Sequence, residues 1–260
     1  MAGAIGTYNR FLTRFAQDAD GIRAGDRTHD PRGDNYMSFS EKWEMQFSDA
    51  TSAQISRWPW SDLVSFVMRY ARPTGPDFRV LELGCGSGAN VPFFRYLNVD
   101  YCAVEGSASA VRMLKDTYPD WADRFAEADF TKDIHFEGPF DLIFDRGSLP
   151  HNHTAPIRDC LVLVDKALKP GGTYIGIDWF STELTDYKRG QPGDDDYTRI
   201  NIEDGPLSNV GPVHFSDEEH ILDLFSDYEI TVLVHKRLDH LRPAENRREG
   251  LWNFVAVKPE

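Results

Sequence analysis

Val80-Leu81-Glu82-Leu83-Gly84-Cys85-Gly86-Ser87-Gly88-Ala89-Asn90 is the stretch that decides the fold of this chain. A strand-like apolar run carries one acid, Glu82, and then breaks into three glycines at every second position. Glycine turns the backbone sharply and lets a ligand come close to it. The VPFFRYL that follows starts a helix, whose first N–H groups have no partner within the helix and point toward the turn. Strand, glycine turn and helix together open a nucleotide-type α/β unit, a pattern that many nucleotide-binding folds share.

Downstream of that turn, strand and helix patterns alternate. Residues 78–83, 100–106, 123–130, 140–147 and 173–180 read as strands, and FDLIFDRG is apolar on both faces, as in a buried parallel strand. Residues 107–118 read as a helix with Ala110, Val111 and Leu114 on one side, and residues 157–168 as a second helix ended by Lys169-Pro170-Gly171-Gly172. Such alternation predicts βαβ units and a parallel sheet. Residues 181–212 are too long for a simple connection and read as an insertion on the acceptor side. Ser216 and Glu219 then have the spacing of a capping box before an apolar run. Two strand-like runs, 228–238 and 251–258, close the chain, with a polar connection between them.

Upstream, residues 1–35 are polar and rich in Gly, Asp and Arg. Residues 36–70 are aromatic, with Tyr36, Phe39, Trp43, Phe47, Trp58, Trp60, Phe66 and Tyr70. Their end has helical apolar spacing at Leu63, Val64, Val67 and Met68, with Ser61 as the cap. We read residues 1–70 as an N-terminal extension and cap, and 71–260 as the main domain.

Composition narrows the function. The 260 residues are 41% hydrophobic and 27% charged, and the formal net charge is −14. That balance repels phosphate backbones and disfavours a nucleic-acid substrate. Three scattered cysteines, Cys85, Cys102 and Cys160, suggest neither a disulfide framework nor a zinc site. No run approaches the length of a membrane span, and no signal-peptide core opens the chain, so a cytoplasmic protein is expected.

The spacing Gly-x-Gly-x-Gly, with Glu82 just before it, resembles motif I of the class I S-adenosylmethionine-dependent methyltransferases, (V/I/L)-L-(E/D)-x-G-x-G-x-G. The G-x-G-x-x-G of nicotinamide dehydrogenases is absent, which speaks against an oxidoreductase. LKPGGTYIGID resembles the family's turn and fifth strand. The resemblance covers residues 78–178 well and the last 35 or so residues loosely. It implies a Rossmann-like fold, with a mostly parallel seven-stranded sheet, helices on both faces and an aromatic helical cap at the N-terminus.

The resemblance also implies a cofactor site for S-adenosylmethionine. Gly84, Cys85, Gly86 and Gly88 would pack against its methionine part and ribose, with Glu82 near the ammonium. Glu105 would bind the ribose hydroxyls, with Gly106 and Ser107 beside the adenosine. Asp129 would lie near the adenine amino group and Phe130 beside its ring. Asn90 and Asp145 complete the expected set, Asp145 standing in the region that resembles motif IV.

The acceptor side is less determined. Methyl transfer is an in-line displacement, so the protein mainly holds and aligns the partners. After Asp145 the chain reads Arg146-Gly147-Ser148-Leu149-Pro150-His151-Asn152-His153. This is neither the Asp/Asn-Pro-Pro-Phe/Tyr of DNA N-methyltransferases nor a Pro-Cys nucleophile. His151 and His153 are base candidates because histidine titrates near neutrality. The plainer reading is two loop histidines. Asp145 is grouped with them, and Arg146 is a candidate for binding an anionic acceptor or for a salt bridge. Tyr36, Trp43, Arg146 and Trp179 are the expected acceptor-pocket residues, and no metal is expected. The expectation is therefore methylation of a small molecule, with oxygen slightly preferred. Nitrogen, protein or nucleic-acid acceptors and a non-catalytic partner subunit are the alternatives, and the oligomeric state is open.

Overall fold

The computed structural model describes residues 41–49, 55–242 and 244–260, the side chains of 244–246 excepted. Tyr36, Phe39 and the polar stretch 1–35 lie outside the described residues. In chain order, the helices are α1 (Glu41–Ser48), α2 (Ser61–Phe66), α3 (Val91–Leu97), α4 (Ala108–Thr117), α5 (Thr154–Ala167) and α6 (Glu218–Leu224). The strands are β1 (Arg79–Leu83), β2 (Asp100–Glu105), β3 (Phe125–Glu127), β4 (Phe140–Arg146), β5 (Leu168–Phe180), β6 (Gln191–Pro192), β7 (Thr198–Ile200), β8 (Val213–His214), β9 (Glu229–Leu241) and β10 (Ala244–Val257).

Seven strands form one sheet in the order β3-β2-β1-β4-β5-β10-β9. Pairings among β1 to β5 are parallel, and β10 runs antiparallel between β5 and β9. This is the mostly parallel, seven-stranded, Rossmann-like sheet that the resemblance implied, with the parallel βαβ part that the alternating pattern predicted. Both faces are buried because side chains on successive strand residues point opposite ways. Leu81 and Leu83 pack on one face with Ile157, Cys160 and Val164 of α5 and with Ile221 and Leu224 of α6. Val80, Tyr101, Leu142 and Phe144 pack on the other with Leu63 of α2, Phe94 of α3 and Leu114 of α4.

The structure corrects several local expectations. Asp217, not Ser216, caps α6: its side chain accepts from the His220 amide at 2.9 Å. Ser216 is instead buried, with its hydroxyl on His214. Trp60 rather than Ser61 stands at the cap of α2, without a side-chain bond, and Met68 is exposed where the spacing placed it inward. The last turn of that helix, Val67–Ala71, widens to a π-helix, which shifts the inward face. The polar connection expected across 239–250 is mostly strand, because β9 and β10 extend into a long hairpin. Helix α5 starts at Thr154 and gives way at Leu168 directly to β5.

Residues 181–212 carry their own small core. Leu184, Ile202, Leu207 and Val210 bury against Val213 and Phe215, and Trp43 and Phe180 pack onto them. Strands β6, β7 and β8 make a separate three-stranded sheet there.

Candidate active site

Strand β1 pairs with β2 on one side and β4 on the other, both parallel. The order of the sheet reverses at this point, and ligands of open α/β sheets sit at the carboxyl ends of the strands there. A cavity of about 910 Å³, counted out to open solvent, lies at that place. The glycine turn after β1 forms its floor.

Gly84, Gly86 and Gly88 all have positive φ, at 70°, 50° and 78°. Each is also closely approached. A Cβ on Gly84 would stand 2.3 Å from the Cβ of Ser148, in the loop after β4. One on Gly88 would stand 2.2 Å from a Leu114 methyl of α4, and one on Gly86 would stand 3.1 Å from the Phe47 ring of α1. The turn therefore lets a loop, a helix and a covering helix come close, besides leaving room for a ligand.

Glu105 ends β2 at the cavity wall. One carboxylate oxygen accepts from the Gly86 amide at 2.7 Å and the other from the Ser107 amide at 3.0 Å. Each oxygen keeps a further lone pair, so the carboxylate can serve a vicinal diol. Burial raises its pKa against the pull of those amides. Asp129 and Phe130 line the same end, and Asp129 accepts from the Thr131 amide and hydroxyl. Glu82 also borders the cavity, but both its oxygens are engaged, one by the Tyr101 hydroxyl at 2.5 Å and one by Asn90 Nδ2 at 2.8 Å. Burial pushes its pKa up to about 7.

Helix α1 covers this site. Glu44 accepts from the hydroxyls of Ser107 and Ser109 at the start of α4. Trp43 meets His151 edge-on at 4.8 Å between ring centres. Ser56 and Ser87 exchange two hydrogen bonds that hold residues 55–60 against the glycine turn.

Trp43, Phe47, Arg146, Gly147, His151 and Asn152 also line the cavity. Arg146 is committed within the chain. It bonds Asp178 through Nε at 3.0 Å and Nη2 at 2.9 Å, and stacks 3.7 Å over the ring of Trp60. Asp178, not the adjacent Asp145, is its partner. Burial and the nearby Arg146 charge hold the His151 imidazole down to about 3, so it is neutral at pH 7.

Most of the residues expected from the sequence meet around this cavity, and several do not. Glu82, Gly84, Cys85, Gly86, Asn90, Glu105, Gly106, Asp129 and Phe130 line it. Ser107 and Gly88 lie behind it: Ser107 caps α4 by accepting from the Ala110 amide, and Gly88 packs on Leu114. Asp145 is fully buried and taken up by Tyr174, Trp179, Ser148 and Leu149, so its oxygens serve the fold. Trp179 is likewise buried, with its indole N–H on Asp145 rather than in an acceptor pocket. His153 turns away to Asp194 at 2.5 Å. Tyr36 lies outside the described residues. Phe47, Ser56, Ser87, Ser148 and Asn152 line the cavity without having been singled out. The glycine turn pointed to Ser87, but nothing in the local pattern marked the others.

Comparisons with known proteins agree with this geometry. A family model described as methyltransferase domain matches residues 80–172. No curated protein matches the sequence. Among solved structures, the PH0226 protein of Pyrococcus horikoshii is similar at 17% identity with a TM-score of 0.59, over 85% of this chain and 100% of the other. The N-methyltransferase NodS of Bradyrhizobium japonicum, solved with S-adenosylhomocysteine, is similar at 15% identity and a TM-score of 0.57, over 85% and 98%. The 1,6-didemethyltoxoflavin-N1-methyltransferase of Burkholderia thailandensis is similar at 15% identity and a TM-score of 0.54, over 77% and 78%.

The sheet order and glycine turn give the chain the fold of these solved methyltransferases, and its residues 80–172 match a methyltransferase domain. S-adenosylmethionine is the cofactor that the resemblance of the glycine turn implies. When bound, it supplies an electrophilic methyl group on a sulfonium. The residues present fit it: a carboxylate with spare lone pairs at the end of β2, a glycine turn along the cavity, and an aromatic ring at Phe130. No helix among the described residues is long and apolar enough to cross a membrane.

Proposed function

We propose that the chain methylates a heteroatom of a small molecule held between Trp43, Phe47 and His151. The observation that carries this reading is the continuity of one cavity from Glu105 and the glycine turn to Arg146 and His151. The cavity joins a cofactor end to an acceptor end partly covered by α1, with the size of a small-ligand site. The similar methyltransferase solved with bound 1,6-didemethyltoxoflavin supports the same class of acceptor.

Oxygen as the acceptor atom follows from the sequence expectation that a histidine takes a proton. That role now rests on His151 alone, since His153 is directed to Asp194. The low basicity of His151 favours a second reading, in which a neutral nitrogen attacks without first losing a proton. In either case the chain's residues chiefly exclude water and align the acceptor.

The test is calorimetric titration with S-adenosylmethionine and S-adenosylhomocysteine, with NADH as control, followed by a methyl-transfer screen over matched phenols and anilines. Binding of the first two alone, with product from one acceptor class, supports the reading. Binding of NADH alone would replace it with an oxidoreductase, and binding of none would favour a non-catalytic partner.

A further inference from the structure

His151 lines the acceptor end of the cavity, yet no side-chain hydrogen bond of its imidazole occurs among the described residues. Its Nδ1 is out of reach of solvent and unpartnered. A buried polar atom left without a bond costs about 1–3 kcal/mol, and such atoms call for an explanation. The ring is wedged in place, edge-on to Trp43 at 4.8 Å and to Phe180 at 5.4 Å, so rotation toward another partner is opposed from two sides.

The charged groups around the cavity are in the opposite condition. Glu82 is held by Tyr101 and Asn90, Glu105 by two amides, Asp129 by Thr131 and Lys132, and Arg146 by Asp178. An ionic acceptor would give up its hydration without gaining an uncommitted counter-charge, which is costly in a covered site. Trp43, Phe47 and Phe130 supply aromatic walls.

Resting on the methyl-transfer reading above, we infer that the acceptor is an uncharged planar ring bearing a hydroxyl or amino group, and that His151 selects it by hydrogen bonding to that group. With Nδ1 sealed off, the ring meets an acceptor through Nε2, and a hydroxyl, which both donates and accepts, can bond that nitrogen in either tautomer. His151 is thus a specificity residue first. The sequence expectation of an anionic acceptor for Arg146 gives way to a structural pair with Asp178.

The experiment uses the full chain saturated with S-adenosylhomocysteine, whose affinity is measured first. Four probes of similar size are then titrated by NMR: p-cresol, p-xylene, p-toluate and benzylammonium. The expected result is p-cresol tightest, by about tenfold over p-xylene, as one buried hydrogen bond of about 1.4 kcal/mol gives. Both charged probes should bind more weakly than p-cresol. His151→Phe should bring p-cresol down to p-xylene while S-adenosylhomocysteine affinity is kept. His151→Leu serves in its place if the first variant does not fold, and the wild-type ranking stands without either. A charged probe matching p-cresol, p-xylene matching it, or a preference that survives loss of the imidazole would overturn the inference. Failure to bind S-adenosylhomocysteine at all would instead overturn the methyl-transfer reading and this inference with it.

Discussion

Glu44 of α1 accepts from the hydroxyl of Ser107 at 2.5 Å, although 63 residues separate them. The same carboxylate accepts from Ser109, so one acid on the covering helix is fastened to the start of α4, next to the carboxylate of Glu105. Burial opposes ionisation of Glu44, yet the Ser107 and Ser109 hydroxyls, the Ser109 amide and the Arg112 charge together hold it below the usual carboxylate range. Cofactor exchange should therefore need this latch to open. Glu44→Ala is expected to raise the dissociation rate of S-adenosylhomocysteine severalfold, followed by stopped-flow tryptophan fluorescence. An unchanged rate would mean that α1 does not gate the site.

On the proposed reading, Glu105 is the residue that would bind the two ribose hydroxyls. Removing its carboxylate takes away charge-assisted hydrogen bonds and also frees the Gly86 and Ser107 amides that it organises. Such bonds are worth about 1.5–3 kcal/mol each. Glu105→Ala should weaken S-adenosylmethionine binding by at least tenfold in calorimetry. Normal affinity in that variant would refute the ribose assignment.

Gly88 was expected to touch the cofactor, but the structure gives it a packing role. A Cβ there would meet Leu114 at 2.2 Å, on a backbone with φ of 78°. Gly88→Ala should cost about 1–3 kcal/mol of stability through overpacking and left-handed strain. Chemical denaturation would show this as a lower midpoint. Gly86→Ala, whose Cβ would be 3.1 Å from the Phe47 ring, should instead disturb the covering helix and the cofactor site.

Glu82 makes stability depend on pH in an unusual direction for a carboxylate. Its folded pKa is about 7, raised by burial, against an ordinary value of 4.5. The folded state then binds more protons than the unfolded state between those values, so Glu82 lowers stability as pH rises from 4.5 to about 7. Glu82→Gln removes this contribution. The variant should gain on wild type by on the order of 1–3 kcal/mol across that window. Urea midpoints at pH 5 and pH 8 measure the difference, and a constant gap would contradict the assignment.

The fold was legible because it is written in local periodicity. Val80, Leu81 and Leu83, Phe140, Leu142, Ile143 and Phe144, and Ala110, Val111 and Leu114 are all buried in the described structure, as strand and helix patterns require. The cofactor end was legible for a related reason: Glu82, the glycines and Glu105 occupy strand ends and a turn, whose positions follow from chain order. The acceptor end was not, because a residue type does not say which way its side chain faces. His151 and His153 are two apart, yet one lines the cavity and the other meets Asp194. Asp145 and Arg146 are adjacent, yet one is buried under Trp179 and the other reaches Asp178.

By itself, then, the sequence determined the mostly parallel sheet, the glycine turn and the acid at the end of β2, since these depend on neighbours within a few residues. Only the tertiary structure decided that Glu44 latches α1 over the site, that Arg146 is neutralised by Asp178, and that Nδ1 of His151 is left without a hydrogen-bond partner among the described residues. Those outcomes depend on contacts between segments tens of residues apart, such as Glu44 with Ser107 and Arg146 with Asp178, and no local pattern encodes them.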